Sequence, residues 1–284
     1  MPGPEVLRYA AFTTDPSGGN PAGVVLEAGR IDDAEMLAVA TDVGYSETAF
    51  LTRGPDHRSY AVRYFSPRVE VPFCGHATVA TGVALAERQG PGRFLLETPV
   101  GPVTVDTHET GEAGDGFMAT LESVPARSRP ATEAEVTALL DALRWQPADL
   151  DPAWPPHLAF AGAEHPVLVT GSRERLATLD YDFTALQVLM DREGWTTVQL
   201  AHADPGVAGA WHVRDPFPVG GVVEDPATGA AAAAFGAYLR ELGRARPGDR
   251  LVLLQGEDMG RPSRLDVEVG AERVRVGGRA VTIP

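Results

Sequence analysis

The chain has no lysine, because all 24 of its basic residues are arginine. Lysine is required for a Schiff base with a carbonyl substrate, for covalently held pyridoxal phosphate and for the phosphate loop of nucleotide hydrolases. The composition therefore excludes these three chemistries.

Cysteine is almost as scarce, since Cys74 is the only one in the chain. A single cysteine cannot form an internal disulfide, which is typical of proteins from reducing compartments. The sequence also has no apolar run of about 18 residues and no secretory pattern in "MPGPEVLRYAAFTTD". We therefore expect a cytoplasmic protein with no membrane span.

Positive charge is outnumbered, because 39 acidic residues give the chain a formal charge of -15 at pH 7. A field of this sign repels nucleic acids and anionic membrane surfaces, so we expect neither as a partner. A small anionic substrate would have to be captured by local donors, such as the free N–H groups at a helix start.

The length of 284 residues fits two domains, and the pattern alternates strands with helices in both halves. Helices are predicted at "DDAEMLAVATDVG", "HATVATGVALAERQG", "DFTALQVLMDREG" and "TGAAAAAFGAYLRELG". The first two strands, "EVLRYAAF" and "GVVLEA", are separated by a predicted turn, "TDPSGGNPAG", and "RFLLETPVGPVTVDT" predicts a hairpin. We predict a first domain of residues 1–123, to which a last strand at 276–284 returns, and a second domain of residues 124–275.

The two halves also share an internal repeat. "EVPFCGHATVATGVALAE" aligns with "EDPATGAAAAAFGAYLRE" at a constant offset of 154 residues. The offset places Gly75 on Gly229, and in both copies this glycine stands at the turn into a helix. Glycine allows close approach of the backbone, and a helix start binds anions. A duplicated α/β chain favours a site in the cleft between its halves, where two such starts would hold a carboxylate.

Cys74 and His76 are candidates for chemistry because they lie two residues apart. A nucleophile with its base, a buried packing thiol and a histidine at a cleft are the possible interpretations. The seven histidines are scattered and none stands at zinc spacing with further cysteines, so no metal site is predicted. A site role is favoured for His76, with a structural cap as its alternative.

Glu47 and Asp225 are the candidate acids. Glu47 lies in "GYSETAFLT", at the head of a strand that should enter the core, where a carboxylate is costly unless it is paired or protonated. It is either a partner of a backbone N–H group or a general acid/base. Asp225 precedes a helix in "EDPATG", so it is either a cap or a site residue. The repeat places Thr197 and Val71 at the matching positions, so the shared fold requires neither acid.

Five segments in register resemble the phenazine biosynthesis F-type isomerases, the PhzF-like family: "GGNPAGVVL", "GYSETAFL", "VEVPFCGHATVATGVAL", "EDPATGAAAAAFGAYL" and "QGEDMGRPS". The resemblance extends over nearly the whole chain. It implies the α/β (α+β) diaminopimelate epimerase-like fold, with two pseudo-symmetric domains that each wrap a mixed, barrel-like sheet around a central helix. It also implies a homodimer that needs no cofactor.

The resemblance also implies the roles of site residues. The type reaction is isomerisation of trans-2,3-dihydro-3-hydroxyanthranilate, in which the glutamate of "SETAF", here Glu47, moves the proton. His76 and Asp225 contact the substrate, and the backbone at Gly75 and Gly229 binds its carboxylate. The expected substrate-binding residues are therefore Cys74, Gly75, His76, Gly229 and Ala230, and the catalytic ones Glu47, His76 and Asp225.

Two departures from the family pattern leave alternatives open. Ala230 stands where the family commonly has serine, which leaves room for a non-catalytic binding protein on the same fold. Related amino-acid epimerases use two cysteines, and Cys74 stands where one of them would. Thr228 occupies the other position, and its hydroxyl cannot act as a thiolate-like base, which argues against an epimerase or racemase.

Overall fold

The computed structural model describes residues 3–111 and 116–284. The chain divides into two compact units, Met1–Glu122 with Gly277–Pro284 and Ser123–Val276. None of the described helices is both long enough and apolar enough to cross a bilayer.

The elements up to Glu122 are eight strands and two helices within the described residues. They are β1 (Leu7–Ala11), β2 (Asn20–Val25), α1 (Asp33–Val43), β3 (Glu47–Arg53), β4 (Ser59–Phe65), β5 (Glu70–Val71), α2 (Gly75–Gln89), β6 (Gly92–Thr98), β7 (Gly101–Glu109) and β8 (Phe117–Glu122).

The elements from Ser123 onward follow the same alternation. They are β9 (Arg127–Pro130), α3 (Glu133–Leu143), β10 (His157–Phe160), β11 (Glu164–Val169), α4 (Arg173–Ala177), α5 (Phe183–Glu193), β12 (Gln199–Ala203), β13 (Ala210–Pro216), β14 (Glu224–Asp225), α6 (Gly229–Glu241), β15 (Arg250–Gln255), β16 (Ser263–Val269) and β17 (Val274–Thr282).

The first unit is a closed barrel of eight strands. The ladder runs antiparallel from β1 to β2, parallel to β3, antiparallel to β4, parallel to β6, and antiparallel to β7 and β8. The last strand, β17, pairs with both β8 and β1 and so closes the ring. A closed ring leaves no open sheet edge among these strands.

Helix α2 is the core of this barrel, because its residues from His76 to Ala86 are all buried. Alanine, threonine and glycine dominate this stretch, and these small side chains let a helix fit inside the ring of strands. Gly82 shows how tight the fit is, since a Cβ there would lie 2.7 Å from Val105 Cγ1 and 2.9 Å from Ala119 Cβ.

The second unit repeats this arrangement around α6. Its ladder runs β9–β10–β11–β12–β13–β15–β16, with parallel pairs at β11–β12 and β13–β15 and antiparallel pairs elsewhere. Helix α6 is buried from Ala231 to Leu239, and Gly236 occupies the position that Gly82 has in α2. The α/β fold class with a mixed sheet around a central helix is therefore confirmed.

The turn predicted before the second strand was wrong at its C-terminal end. The sequence predicts a turn through Gly23, whereas β2 begins at Asn20. Pro21 is tolerated there because the parallel ladder to β3 begins only at Ala22, so the missing N–H removes no bond to that neighbour.

Candidate functional site

Glu47 is the first residue of β3, and the preceding segment fixes its position. Helix α1 ends at Gly44, which adopts the left-handed conformation at φ 71° and turns the chain toward β3. Glu47 then pairs with Ala22 of the parallel neighbour β2. Its side chain is half-buried, with 21% of its surface exposed, so the carboxylate stands at the rim of the barrel rather than in the core.

The start of α2 brings Cys74 and His76 to this carboxylate. Cys74 is the N-cap of the helix and His76 its second residue. Cys74 Sγ lies 3.5 Å from Glu47 Oε2, and His76 Nε2 lies 3.3 Å from the same oxygen. Cys74 Sγ is also 3.4 Å from His76 Nδ1. The three side chains, which we call the rim triad, therefore contact one another in pairs.

Two neighbouring residues, Ser46 and Thr78, hold the rim triad in place. Ser46 Oγ lies 3.3 Å from His76 Nε2, so this nitrogen faces both the hydroxyl and the Glu47 carboxylate. The Cys74 carbonyl accepts hydrogen bonds from the backbone N–H of Thr78 at 3.1 Å and from its hydroxyl at 2.6 Å. Oε1 of Glu47 has no hydrogen-bond partner within the described residues. One carboxylate oxygen is thus held by the protein, and the other is available to a substrate.

Helix α2 also presents backbone donors beside the rim triad. Its N-cap, Cys74, makes no capping hydrogen bond through its side chain, and the first intrahelical bond is donated by Thr78. The N–H groups of Gly75, His76 and Ala77 therefore have no protein partner within residues 3–111 and 116–284. A Cβ on Gly75 would meet nothing within 4 Å. The space above this turn is open to an anion.

The start of α6 in the second unit carries the other predicted residues. Asp225 is the last residue of β14, and Thr228, the N-cap, donates its hydroxyl to Asp225 Oδ2 at 2.6 Å. Gln255 supports both residues, because its Nε2 donates to the Asp225 carbonyl at 2.7 Å and its Oε1 accepts the Thr228 N–H at 3.0 Å. Gly229 and Ala230 follow as the first residues of the helix.

Gln255 is a residue that the sequence analysis missed as a site component. It lies in the segment "QGEDMGRPS", which carries part of the family resemblance, but no role was attached to it. The signal available in the sequence is its place in this segment, which matches the family pattern. The Thr228 hydroxyl is likewise engaged with Asp225, which gives the threonine a positioning role that the comparison with cysteine did not suggest.

A fully buried polar chain lies on the strand beside Asp225. Asp215 of β13 is the direct cross-strand partner of Asp225 and has no exposed surface. Its Oδ1 accepts the Thr197 hydroxyl at 2.9 Å, and Thr197 Oγ1 lies 2.9 Å from His165 Nδ1. Its Oδ2 has no hydrogen-bond partner within the described residues. Thr197 is the repeat equivalent of Glu47, so the second unit has a hydroxyl where the first has its candidate base.

Burial sets the charge of this chain. Loss of solvent raises the pKa of the Asp215 carboxyl well above its ordinary value; the hydrogen bond from Thr197 opposes this shift, and the nearby carboxylates of Asp225 and Glu224 add to it. Burial also lowers the pKa of His165 to about 4, against a weaker opposing effect of Thr197. Burial therefore favours the neutral forms of both the Asp215 carboxyl and the His165 imidazole, close to Asp225.

A sequence model of the phenazine biosynthesis-like protein family matches residues 9–284. The chain belongs to this family. Family membership makes the protein an enzyme of the isomerase class, as the sequence predicts.

Relatives of this family member are similar over nearly their whole length. The uncharacterized isomerase YfhB of Bacillus subtilis is 32% identical, with 98% of this chain and 96% of the relative covered. The trans-2,3-dihydro-3-hydroxyanthranilate isomerase of Pseudomonas fluorescens is 30% identical, with 96% and 94% covered. A PhzF-family phenazine biosynthesis protein of Bacillus anthracis has the same fold, with a TM-score of 0.86 at 24% identity and coverage of 100% and 98%.

The structure thus brings Glu47, Cys74 and His76 of this isomerase together in the first unit. Gly75 lies beside them with open space above its backbone. Asp225, Gly229 and Ala230, which complete the seven predicted positions, lie together at the start of α6 in the second unit. That the two groups contact one substrate stays a prediction, as does the homodimer.

Proposed function

We propose that the protein is a cofactor-independent isomerase in which Glu47 moves a proton between two carbons of a small, cyclic, carboxylate-bearing substrate. The observation that carries this proposal is the anchored carboxylate of Glu47, whose Oε2 lies 3.3 Å from His76 Nε2 and 3.5 Å from Cys74 Sγ. Oε1 is left to the substrate, next to the open helix start at Gly75.

The proton transfer follows from this arrangement. Glu47 takes a proton from an acidic carbon and becomes a carboxylic acid, while the electron pair of the C–H bond moves into the conjugated system of the substrate. The same proton then returns to another carbon on the same face, which shifts the double bonds and restores the carboxylate. No atom or electron is gained or lost, so one residue can act first as base and then as acid.

His76 and the start of α2 supply the electrostatic part. A histidine protonated on Nε2 donates to Oε2 and fixes the direction of the carboxylate, which places the base before the reaction. The N–H groups of Gly75 and Ala77, which have no partner within the described residues, would bind an anion at the positive end of the helix dipole. Donors placed where negative charge develops stabilise the transition state more than the ground state.

We infer the substrate class from the family. Relatives about 30% identical are named trans-2,3-dihydro-3-hydroxyanthranilate isomerases, so this compound is the substrate to test first. Ala230 removes a hydroxyl from the start of α6, and we expect weaker binding of the substrate carboxylate as a result.

The experiment is turnover of trans-2,3-dihydro-3-hydroxyanthranilate in deuterated water by the parent protein and by Glu47→Gln. The amide keeps the shape of the side chain but cannot accept the proton, so we expect kcat to fall at least about 100-fold with substrate affinity nearly unchanged. Glu109→Gln, at an exposed position of β7, is the matched control and should keep full activity. A Glu47→Gln variant that retains most of its rate would refute the assignment.

Cys74→Ala separates this proposal from a racemase. The thiol donates toward Glu47 in the structure, and the position that would carry its partner is Thr228, whose hydroxyl donates to Asp225. We therefore expect Cys74→Ala to retain activity within about tenfold, because the thiol holds the base without carrying the proton. Complete loss with Cys74→Ala, together with full activity of Glu47→Gln, would favour the two-base alternative. A parent protein that neither converts the compound nor exchanges deuterium into it would favour the binding protein.

A further inference from the structure

The second barrel places a carboxyl group where the first places an aromatic ring. The segments "RYFSP" and "RDPFP" stand in the equivalent strands β4 and β13 at an offset of 151 residues (214 − 63), so Asp215 is the repeat equivalent of Tyr64. Tyr64 is fully buried, and its hydroxyl lies 2.7 Å from Thr78 Oγ1 of α2. The equivalent of Thr78 in α6 is Ala232, whose side chain has no hydroxyl. The repeated fold therefore does not explain why a carboxyl group occupies the second barrel.

Strand pairing turns this carboxyl group toward Asp225. Asp215 and Asp225 are directly opposite each other in the antiparallel pair of β13 and β14. Side chains in such positions lie on the same face of a sheet, with Cβ atoms about 4.5–5.5 Å apart. The neighbouring residues in the two strands point to the other face, where Arg214 pairs with Glu224. The guanidinium of Arg214 is therefore engaged away from the two aspartates, which face each other.

The other neighbours of Asp215 are uncharged. Thr197 donates its hydroxyl to Oδ1 at 2.9 Å, and the same hydroxyl oxygen lies 2.9 Å from Nδ1 of His165. Burial lowers the pKa of His165 to about 4, so its ring is neutral at pH 7. Gln199, which continues the register of β12 opposite β13, is fully buried, and α6 has no titratable side chain over residues 229–235. Within the described residues, Asp215 forms no ion pair that would balance a negative charge.

Asp225 stands in surroundings that favour a negative charge. It is only half-buried, and its Oδ2 accepts the Thr228 hydroxyl at 2.6 Å. Thr228 is the N-cap of α6, so Asp225 lies near the positive end of the helix dipole. Gln255, which contacts the backbone of both residues, is uncharged. Of the two facing carboxyl groups, Asp225 is the one better placed to be ionised.

A single proton removes the repulsion between the two carboxyl groups. Two negative charges at this separation repel each other strongly where water is excluded, so neighbouring carboxyl groups in proteins often hold one proton between them. The proton is more stable on the member with less solvent and fewer donors, which is Asp215. Burial is the main cause of the raised pKa of Asp215, and the charge of Asp225 adds to it.

We propose that Asp215 and Asp225 form a carboxyl pair with a single proton, which Asp215 holds, and that Asp215 thereby positions the ionised Asp225 at the start of α6. While Asp215 is neutral, Asp225 keeps its hydrogen bond with Thr228. When Asp215 loses its proton at alkaline pH, the pair carries two negative charges and Asp225 is driven out of this position. The effect on catalysis rests on the proposed function, in which Asp225 contacts the substrate.

Carbon-13 NMR of the full chain tests the pair without a substrate. The side-chain carboxyl carbons of aspartate are labelled, and their signals are followed between about pH 4 and pH 10. Asp215→Asn and Asp225→Asn assign the two signals by their loss. We expect the signal of Asp215 at pH 7 to be that of a protonated carboxyl group and the signal of Asp225 to be that of a carboxylate. In Asp225→Asn, the proton affinity of Asp215 should fall at least about tenfold, because the neighbouring negative charge is gone.

Asp42→Asn is the control for these spectra, because Asp42 is exposed on α1 and the substitution should leave both signals unchanged. Thermal melting shows whether each variant is folded. Two outcomes would overturn the pair. One is an Asp215 signal typical of a carboxylate at pH 7, and the other is a proton affinity of Asp215 that Asp225→Asn leaves unchanged.

The pH profile of kcat/KM tests the positioning role of Asp215. In the parent, kcat/KM for trans-2,3-dihydro-3-hydroxyanthranilate should fall at least about tenfold over the pH range in which the NMR signal of Asp215 shows ionisation. Asp215→Asn should lose this fall, because its amide carries no charge at any pH. A role confined to folding would lower kcat/KM by the same factor at every pH. That result, or an unchanged alkaline fall in Asp215→Asn, would contradict the positioning role.

The NMR and turnover experiments distinguish this proposal from the proposed function. A parent protein that shows the coupled titration but does not convert the compound would refute the isomerase and keep the carboxyl pair. Normal turnover by a parent protein whose Asp215 is ionised at pH 7 would keep the isomerase and refute the pair.

Discussion

Asp215 offers a direct test of how burial controls charge in this protein. Its carboxyl is fully buried on β13, its Oδ1 accepts the Thr197 hydroxyl, and its Oδ2 has no partner within the described residues. Asp215→Asn keeps the size of the side chain and the oxygen that Thr197 needs, but removes the ionisable group. We predict that this substitution stabilises the protein above about pH 6.

The direction in which stability changes with pH follows from the direction of the pKa shift of Asp215. Burial raises the pKa of Asp215 in the folded state. Between the ordinary pKa and the raised one, the folded chain holds a proton that the unfolded chain has released, so stability falls as pH rises. Each pH unit costs about 1.4 kcal/mol, and a carboxyl with an ordinary pKa near 3.9 loses at most about 4 kcal/mol by pH 7.

The Asp215→Asn variant does not lose stability as pH rises in this way, but its buried amide makes an unfavourable contribution of its own. Its amide replaces Oδ2 in a place without a partner, and a buried donor without a partner costs about 1–3 kcal/mol. The net gain at pH 7 is therefore at most about 1–3 kcal/mol, and near pH 4 the variant should be no more stable than the parent. The predicted quantity is thus a slope of the stability difference against pH.

Urea unfolding at pH values between about 4 and 8, followed by tryptophan fluorescence and circular dichroism, measures this slope. Asp42→Asn, at an exposed position of α1, is the control because it makes the same change in net charge without removing a buried carboxyl. A stability difference that is independent of pH would show that Asp215 is ionised in the folded protein and would refute this reasoning.

Three further predictions concern packing and the helix starts. Gly82→Ala should destabilise the first unit by about 1–3 kcal/mol, because the added Cβ would come within 3 Å of β7 and β8. Gly236→Ala should lower the stability less, because the nearest atom to its added Cβ would be 3.0 Å away. Thermal melting of the two variants compares these effects. Gly75→Ala should leave the melting temperature nearly unchanged and raise KM, since its Cβ enters open space that we assign to the substrate. Equal KM values for Gly75→Ala and the parent would contradict this assignment. Arg214→Met should lower the free energy of unfolding by about 3–5 kcal/mol, because it leaves Glu224 buried without its ion-pair partner. Urea unfolding measures this loss, and the double variant with Glu224→Gln should recover part of it. An Arg214→Met variant as stable as the parent would refute this reasoning.

The fold was largely predictable because its two halves repeat. Gly82 and Gly236 share a helix position for the same physical reason, which is contact of the helix backbone with a barrel wall, so their spacing carried three-dimensional information. Helix α3 was not predicted, although its capping box of Thr132 and Glu135 was present as a signal. The arginines and prolines just before it are instead typical of a linker, which agrees with the domain boundary predicted between residues 123 and 124.

The rim triad was only partly predictable. The pair Cys74 and His76 lies two residues apart and could be seen in the sequence, but Glu47 is separated from Cys74 by 27 positions. The parallel pairing of β2 with β3 brings the carboxylate to the helix start, and no local pattern encodes that contact. The buried chain around Asp215 was missed for a similar reason, because its members come from three strands or their flanks and each looks ordinary in its own segment.

The closing strand of the first barrel also has a consequence for synthesis on the ribosome. The unit formed by Met1–Glu122 needs Gly277–Pro284 to complete its ring, whereas Ser123–Val276 is a continuous segment. The ring of the unit that is translated first therefore stays open, with the edges of β1 and β8 that face β17 unpaired, until β17 emerges. The order of translation and the order of completion are reversed, and the early intermediate is the species in which chaperone binding would matter most.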